Sequence, residues 1–170
     1  MEEEIVYGTL SEHMEFAVEA GSLSWKEWKR EVQFEEKYES EQPYIDWFIE
    51  DYGYGSGDSL KTAIVAFTKE TKKFVGIGVF VKDDLKSRPD INFSPWLANL
   101  LVHPDFRRRK VGTGIVHKLI QLAKDLKIDT IYLWTRTDKV KWYRSFGFEE
   151  ILVTFYLFSD IHVMKKQLRE

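Results

Sequence analysis

The stretch Leu100–Gly114, Leu-Leu-Val-His-Pro-Asp-Phe-Arg-Arg-Arg-Lys-Val-Gly-Thr-Gly, constrains the fold more than any other part of the chain. A short apolar strand stops at His103-Pro104, a loop with three consecutive arginines follows, and two glycines open an amphipathic helix. In that order a backbone can grip a phosphate. The first N–H groups of a helix lack intrahelical partners, and the helix dipole favours negative charge there. Gly112 and Gly114 carry no side chain that would hold a pyrophosphate away from the backbone. Taken alone, the same residues also read as an ordinary basic surface turn.

The neighbouring patterns place this loop in a mixed sheet. Ile5–Thr9 predicts a first strand. Ser11 is placed to cap a helix over residues 12–20 that stops at Gly21. Ser24 is placed to cap a second, with Trp25, Trp28, Val32 and Phe34 as apolar contacts. Pro43 breaks this region, Tyr44–Tyr52 resumes it, and the glycines between Tyr52 and Ser59 make a loop. Ala63–Thr68 and Phe74–Lys82, around a turn at Glu70–Lys73, predict a β-hairpin. Residues 83–95 predict a loop and Trp96–His103 a fourth strand.

After the glycine loop, Val111, Ile115, Leu119, Leu122 and Leu126 recur at spacings of three and four, a core-facing helical stripe. Thr130–Trp134 follows as a strand. Asp138 is placed to cap a short helix that carries Val140 and Tyr143 and ends at Gly147. Ile151–Phe158, almost wholly apolar, predicts a covered strand, and Asp160–Lys166 closes the sheet as its antiparallel partner. With no repeat, linker or low-complexity tract, residues 1–170 predict a single α/β domain of the α+β kind.

The absence of cysteine excludes disulfides, thiolate nucleophiles and zinc-thiolate sites. Met1-Glu2-Glu3-Glu4 lacks the apolar region of a secretory signal. No apolar run reaches the roughly 18 residues that span a bilayer. A cytoplasmic protein with no membrane partner is expected. Charge is unevenly spread: residues 1–60 hold 16 acidic against 4 basic side chains, a net of −12, and residues 61–170 hold 12 against 21, a net of +9. The bases are tightest at the glycine loop, which favours a phosphate-bearing small molecule over nucleic acid as partner.

Arg109-Lys110-Val111-Gly112-Thr113-Gly114 resembles the Arg/Gln-x-x-Gly-x-Gly/Ala signature of the GNAT superfamily, the Gcn5-related N-acetyltransferases. Thirty residues on, Trp142-Tyr143-Arg144-Ser145-Phe146-Gly147-Phe148 resembles that family's second landmark, a Tyr followed by Gly-Phe. The resemblance spans about Pro95 to Phe148. It implies a mixed, largely antiparallel sheet with one parallel pair, helices on both faces and a splay where acetyl-CoA enters. It implies acetyl-CoA as acetyl donor, held by Arg107, Arg108, Arg109, Lys110, Val111, Gly112, Thr113 and Gly114 and by the strand Leu100, Leu101 and Val102. The backbone amide of Leu100 would face the thioester oxygen, Val102 would pair the pantetheine arm, and Tyr143 would protonate the departing thiolate. A homodimer is compatible with it.

The sequence departs from the family at the general base. Many relatives carry Glu or His on the fourth strand, where this chain has Trp96 and Ala98. Asn99 can orient a water, and His103 lies at the strand end beside the phosphate loop. Asp46, Glu50 and Asp51 are candidates by location only. His13 and His117 sit in separate helices, and Asp160 and His162 lack a third ligand, so no metal site is expected.

The expectation is an N-acetyltransferase that moves acetyl directly to a primary amine of a small molecule, not to nucleic acid. The alternatives are a non-catalytic acyl-CoA-binding or regulatory module, or a protein N-acetyltransferase. The acids around Pro43 (Glu35, Glu36, Glu39, Glu41, Asp46, Glu50 and Asp51) predict a negative acceptor mouth and a cationic acceptor.

Overall fold

The computed structural model describes residues 2–35, 37–54 and 60–169. Seven strands form one sheet: β1 (Ile5–Thr9), β2 (Thr62–Thr68), β3 (Phe74–Val81), β4 (Trp96–Val102), β5 (Thr130–Thr135), β6 (Glu149–Tyr156) and β7 (Ser159–Gln167). Their order is β1-β2-β3-β4-β5-β7-β6, and every neighbouring pair is antiparallel except β4 and β5. Helices α1 (Ala17–Phe34) and α2 (Glu41–Phe48) cover one face, and α3 (Val111–Asp125) and the short α4 (Val140–Arg144) cover the other.

Strand alternation divides the core into two layers. Val65, Phe67, Ile77 and Val79 pack with Trp25, Tyr44 and Phe48, whereas Ile64, Ala66, Phe80 and Ile131 pack with Val111, Ile115 and Leu119. The whole of β3 is buried, as a central strand between two helical layers must be.

The two helices expected to part at Gly21 are one. Single 3-10 turns at Leu10–Glu12 and Met14–Phe16 replace the predicted first start, and α1 then runs 18 residues through Gly21 and Ser24. Gly21 tolerates the interior of a helix because α2 crosses there: a Cβ would lie 3.4 Å from Ile45. Ser24 is no cap. It is fully buried, its hydroxyl 2.5 Å from that of Tyr44. Asp138 likewise lies inside a 3-10 turn, Thr137–Lys139, that leads into α4.

The apolar run after Gly147 is not covered. β7 enters the sheet between β5 and β6, which leaves β6 at the edge with Val153 47% and Phe155 63% exposed. Residue type reports strand propensity and says nothing of which hairpin arm is inserted. No helix of the described residues is long and apolar enough to cross a membrane.

Two irregularities of β4 position the site. β4 and β5 pair only at Trp96 opposite Tyr132, where the Tyr132 N–H donates to the Pro95 carbonyl at 3.0 Å. Beyond that point the two strands part. On its other side, β4 steps from Ala98 opposite Val79 to Leu101 opposite Ile77, so Asn99 and Leu100 together face Gly78. That is a β-bulge, and it sits in the splay.

Candidate active site

The bulge is held by Asn99, whose φ of 49° lies in the left-handed region that Asn tolerates. Its Oδ1 accepts from the Trp28 indole N–H at 2.8 Å and its Nδ2 donates to Ser24 Oγ at 2.8 Å. Asn99 therefore pins α1 to β4, and its side chain is committed to that task rather than to a water. Asn99 and Leu100 fall outside the regular ladder. The Leu100 and Val102 side chains pack on the α3 side and Leu101 on the α1 side. Trp96 is fully buried, its indole N–H donating to the Phe93 carbonyl at 2.6 Å. Neither it nor Ala98 supplies a base.

The glycine loop joins β4 to α3. Lys110 stands before α3 with φ 59°, and the first intrahelical bond runs from the Gly114 N–H to the Lys110 carbonyl at 3.1 Å. No side chain caps this end, so the N–H groups of Val111, Gly112 and Thr113 lack intrahelical partners and suit an anion. Arg107 turns back, its Nε donating to the Val102 carbonyl at 3.1 Å. Arg109 lies over the Phe106 ring, 5.2 Å from its centroid, and 3.9 Å from Glu2. Among the described residues nothing holds the side chains of Arg108 and Lys110. A groove of about 460 Å³ opens beside the loop between Lys72, Lys73, His103 and Arg109.

The two glycines do different work. A Cβ on Gly112 would stand 3.5 Å from Trp142 and 3.8 Å from Val102, in the gap between β4 and α4. A Cβ on Gly114 would fall 2.0 Å from the Tyr7 hydroxyl, so Gly114 is required by the packing of β1 on α3. The space beside Gly112 thus admits a Cβ at ordinary contact distance, whereas the space beside Gly114 is filled by Tyr7.

α4 brings the second motif to the first. Trp142 meets Gly112, and Tyr143 packs against Trp142 with ring centroids 4.9 Å apart. Burial pushes the Tyr143 phenol above its ordinary pKa, so its hydroxyl keeps its proton at neutral pH. Phe148 of the same motif packs edge-on against Tyr143.

On the α1 face of the sheet stands an aromatic cluster that the sequence reading missed. Trp28 of α1 meets Trp134 of β5 edge-on, centroids 5.8 Å apart, and Trp134 meets Tyr156 of β6 at 5.7 Å. The loop after β3 brings Asp84, half-buried, up to the Trp134 indole. Burial raises its carboxyl to about 7, although the Trp134 indole facing it and the charges of Lys37 and Lys86 oppose the rise. The Trp134 N–H is buried and closes no hydrogen bond of good geometry. Tyr52 and Tyr156 also feel the Asp84 charge, and burial pushes the Tyr156 phenol up to about 12. Residues 83–95 read only as a polar loop, and nothing in their spacing marks Asp84.

Of the described acids around Pro43, Glu35 reaches this cluster. It accepts from the Tyr156 hydroxyl at 3.0 Å and from Ser87 at 3.2 Å, and it pairs with Lys37 at 2.6 Å. Burial works against its ionisation, yet these partners hold it below the usual carboxylate range. Glu41 accepts from Ser22, Asp46 from Gln42, and Asp51 pairs with Lys61. Glu39 and Glu50 are exposed. Glu36 lies outside the described residues.

The histidines stay apart. His13 packs on Phe67, His117 on Phe146, and His103 accepts from the Asp105 N–H at the end of β4. His162 bonds Glu150 and Thr137 rather than joining Asp160. Among the described residues no three His, Asp or Glu side chains gather to hold a metal.

A sheet splayed beside a bulged strand, with a bare helix N-terminus at its mouth, defines an acyltransferase-type fold. Residues 22–148 match the model of the acetyltransferase (GNAT) family, and the chain belongs to that family. An uncharacterized N-acetyltransferase, ycf52, of Pyropia yezoensis is 32% identical over 63 residues, which are 37% of this chain and 36% of that protein. Its counterpart in Porphyra purpurea is 30% identical over the same share of each. The match thus spans about a third of the curated relatives' length. Among solved structures, an aminoglycoside 6'-N-acetyltransferase complexed with coenzyme A is similar over 97% of this chain and 98% of its own, with TM-score 0.68 and 15% identity. Spermidine/spermine N-acetyltransferase SpeG from Vibrio cholerae is similar over 97% and 93%, with TM-score 0.66 and 16% identity. A GNAT acetyltransferase from Staphylococcus aureus is similar over 98% and 100%, with TM-score 0.63 and 19% identity. At these identities the structures speak for the fold.

Proposed function

We propose that this protein is an acetyl-CoA-dependent N-acetyltransferase acting on a cationic small-molecule amine. The observation that carries the reading is a convergence. The bulge at Asn99-Leu100, the unpartnered N–H groups at the start of α3, and Trp142-Tyr143 all border the one splay between β4 and β5.

The residues present fit acetyl-CoA. The N–H groups of Val111, Gly112 and Thr113 would hold the pyrophosphate, with Arg108 and Lys110 adding positive field. Val102 would pair the pantetheine through its backbone. When bound, acetyl-CoA supplies an activated thioester. The Leu100 amide, outside the ladder, is positioned to donate to developing charge on the carbonyl oxygen. The amine nitrogen forms the new C–N bond as the C–S bond breaks. The Tyr143 hydroxyl gives its proton to the sulfur, and the nitrogen releases a proton to solvent. The rings of Trp28, Trp134 and Tyr156, with Glu35 beside them, would line the acceptor side and suit a cation.

Titration calorimetry with acetyl-CoA, followed by a thiol-release screen against amines, aminosugars, amino acids and peptides, tests the reading. Tight binding with transfer to basic small molecules is expected. Absence of binding at high micromolar acetyl-CoA overturns it, and binding without transfer to any amine favours a non-catalytic acyl-CoA-binding module.

A further inference from the structure

The bulge on β4 is held from both faces of the sheet. On the α3 face the Leu100 side chain meets Ile115 and Leu119 over Gly78, where a Cβ would lie 3.3, 2.5 and 3.0 Å from the three. That contact is apolar and fixes no direction. On the α1 face the hold is directional. The Trp28 indole N–H donates to Asn99 Oδ1 at 2.8 Å, Asn99 Nδ2 donates to Ser24 Oγ at 2.8 Å, and the Ser24 and Tyr44 hydroxyls share a hydrogen bond of 2.5 Å. An indole nitrogen only donates, so the Asn99 amide has one orientation, its oxygen toward Trp28. Ser24 and Trp28 stand one turn apart on α1, and Ser24 and Tyr44 are buried, so the far end of the chain is fixed in the core.

The shape of the bulge alone does not call for this residue. A φ of 49° is open to Gly without strain. Asn adds what Gly lacks, an amide that ties the bulge to α1. The peptide that links Asn99 to Leu100 is planar and carries the Leu100 N–H, so whatever fixes Asn99 fixes the direction of that N–H. Direction matters at such a donor. Stabilisation of developing charge needs a donor within about 2.7–3.1 Å, and a misplacement of about 1 Å costs about 100-fold.

We propose that Asn99 is a positioning residue for acetyl transfer: held by Trp28 and Ser24, it sets the direction of the Leu100 N–H, so that α1 and the bulge act as one unit. This rests on the N-acetyltransferase reading above. In this role the Asn99 side chain acts only through the Leu100 amide.

The test uses two single variants and their combination. Trp28→Phe keeps an aromatic ring toward Trp134 and loses the N–H donor. Asn99→Gly keeps the backbone angle and loses both bonds. Ser24→Ala, which leaves β4 untouched, replaces Asn99→Gly should that variant not fold. Three readouts are taken: amide hydrogen exchange in the ligand-free protein, acetyl-CoA binding by calorimetry, and kcat by thiol release with the best amine of the screen. Each single variant should raise exchange at Ala98–Leu101 at least about tenfold and leave β7 unchanged. It should lower kcat about 10- to 100-fold, with the Kd for acetyl-CoA within about threefold of wild type. The double variant should lie within about threefold of the worse single one, as for residues that act together. Wild-type kcat in the folded variants overturns the proposal, as do losses that multiply or a matching loss of acetyl-CoA affinity. If the wild type binds no acetyl-CoA or transfers acetyl to no amine, the enzyme reading fails by itself. Raised exchange confined to β4 then still upholds the control of the bulge by α1, and equal exchange in variants and wild type rejects it in either case.

Discussion

Gly114→Ala separates packing from cofactor binding at the glycine loop. The new Cβ would stand 2.0 Å from Tyr7 Oη, 2.3 Å from Cζ and 2.8 Å from Cε1. These atoms belong to a ring on β1, so relief requires moving the ring or parting β1 from α3. Overpacking of a fitted interior costs about 1–3 kcal/mol, and Ala in place of Gly within a helix returns up to about 1 kcal/mol. So close an approach puts the cost in the upper part of its range, and the net loss is about 1–2 kcal/mol. For a chain of this size that is about 2–8 °C in Tm, readable by calorimetry or circular dichroism. Truncating the ring should relieve the strain, so Gly114→Ala should cost little in a Tyr7→Ala background. The contrast is Gly112→Val, whose side chain would enter the gap between Val102 and Trp142. It should lower acetyl-CoA affinity at least about tenfold, the loss of one or more backbone contacts, with a smaller change in Tm. If Gly114→Ala melts with the wild type yet loses acetyl-CoA, the packing argument is wrong and the glycine serves the phosphate. Normal acetyl-CoA binding by a folded Gly112→Val would place the phosphate elsewhere.

Tyr143→Phe keeps the contacts with Trp142 and Phe148 and removes the hydroxyl. It should lower kcat about 10- to 1000-fold with acetyl-CoA affinity little changed, and wild-type kcat with chemistry rate-limiting would remove Tyr143 from the mechanism. Ser24→Ala strips a buried hydroxyl shared by Tyr44 and Asn99 and should cost about 1–3 kcal/mol in urea unfolding; an unchanged midpoint would mean that the network does not hold α1 on β4. Asp84 binds its proton more tightly folded than unfolded, so its contribution to stability is full below its unfolded value of 3.8 and is lost as pH rises through about 7. Asp84→Asn should flatten the fall in Tm between about pH 4 and 7, the span between those two values, and an unaltered slope would show that Asp84 titrates normally. Neutralising the exposed Glu39 and Glu50 together should change kcat/KM for a cationic amine less than about twofold at physiological salt, where screening acts over about 8 Å; a loss of about tenfold would restore long-range steering as the source of selectivity.

The strands, the glycine loop and α3 were legible because each rests on local chemistry: periodicity, punctuation by Pro and Gly, and helix-start N–H groups. What the sequence hid depends on partners far along the chain. Gly21 looks like a stop until α2 is laid across it. Ser24 looks like a cap until Tyr44 and Asn99 are brought to its hydroxyl. Ile151–Phe158 reads as covered because burial and β-propensity favour the same residues, and only the insertion of β7 decides otherwise. Asp84 was invisible for the same reason. Trp134, Tyr52 and Tyr156, which give it meaning, come from three separate elements.

The charge asymmetry shows how a sum can point to the right chemistry through the wrong residues. The first sixty residues are strongly acidic, and a cationic acceptor follows from their excess if that charge surrounds the cleft. In the fold most of it does not: Asp51 is answered by Lys61, Asp46 and Glu41 accept from neighbouring side chains, and Glu39 and Glu50 face water. Exposed charges of this kind are screened within a few residues' distance and discriminate weakly among ligands. The acid whose surroundings differ is Asp84, in the basic part of the chain, where burial raises the carboxyl to about 7 and a charge counts for more than one at the surface. The same contrast divides the whole site. At the α3 end, backbone N–H groups and basic side chains await an anion. On the far side of the bulge stand the rings of Trp28, Trp134 and Tyr156, joined to β4 through the bond from Trp28 to Asn99. On the proposed reading the bulge would set the two partners of the transfer on either side of a single strand.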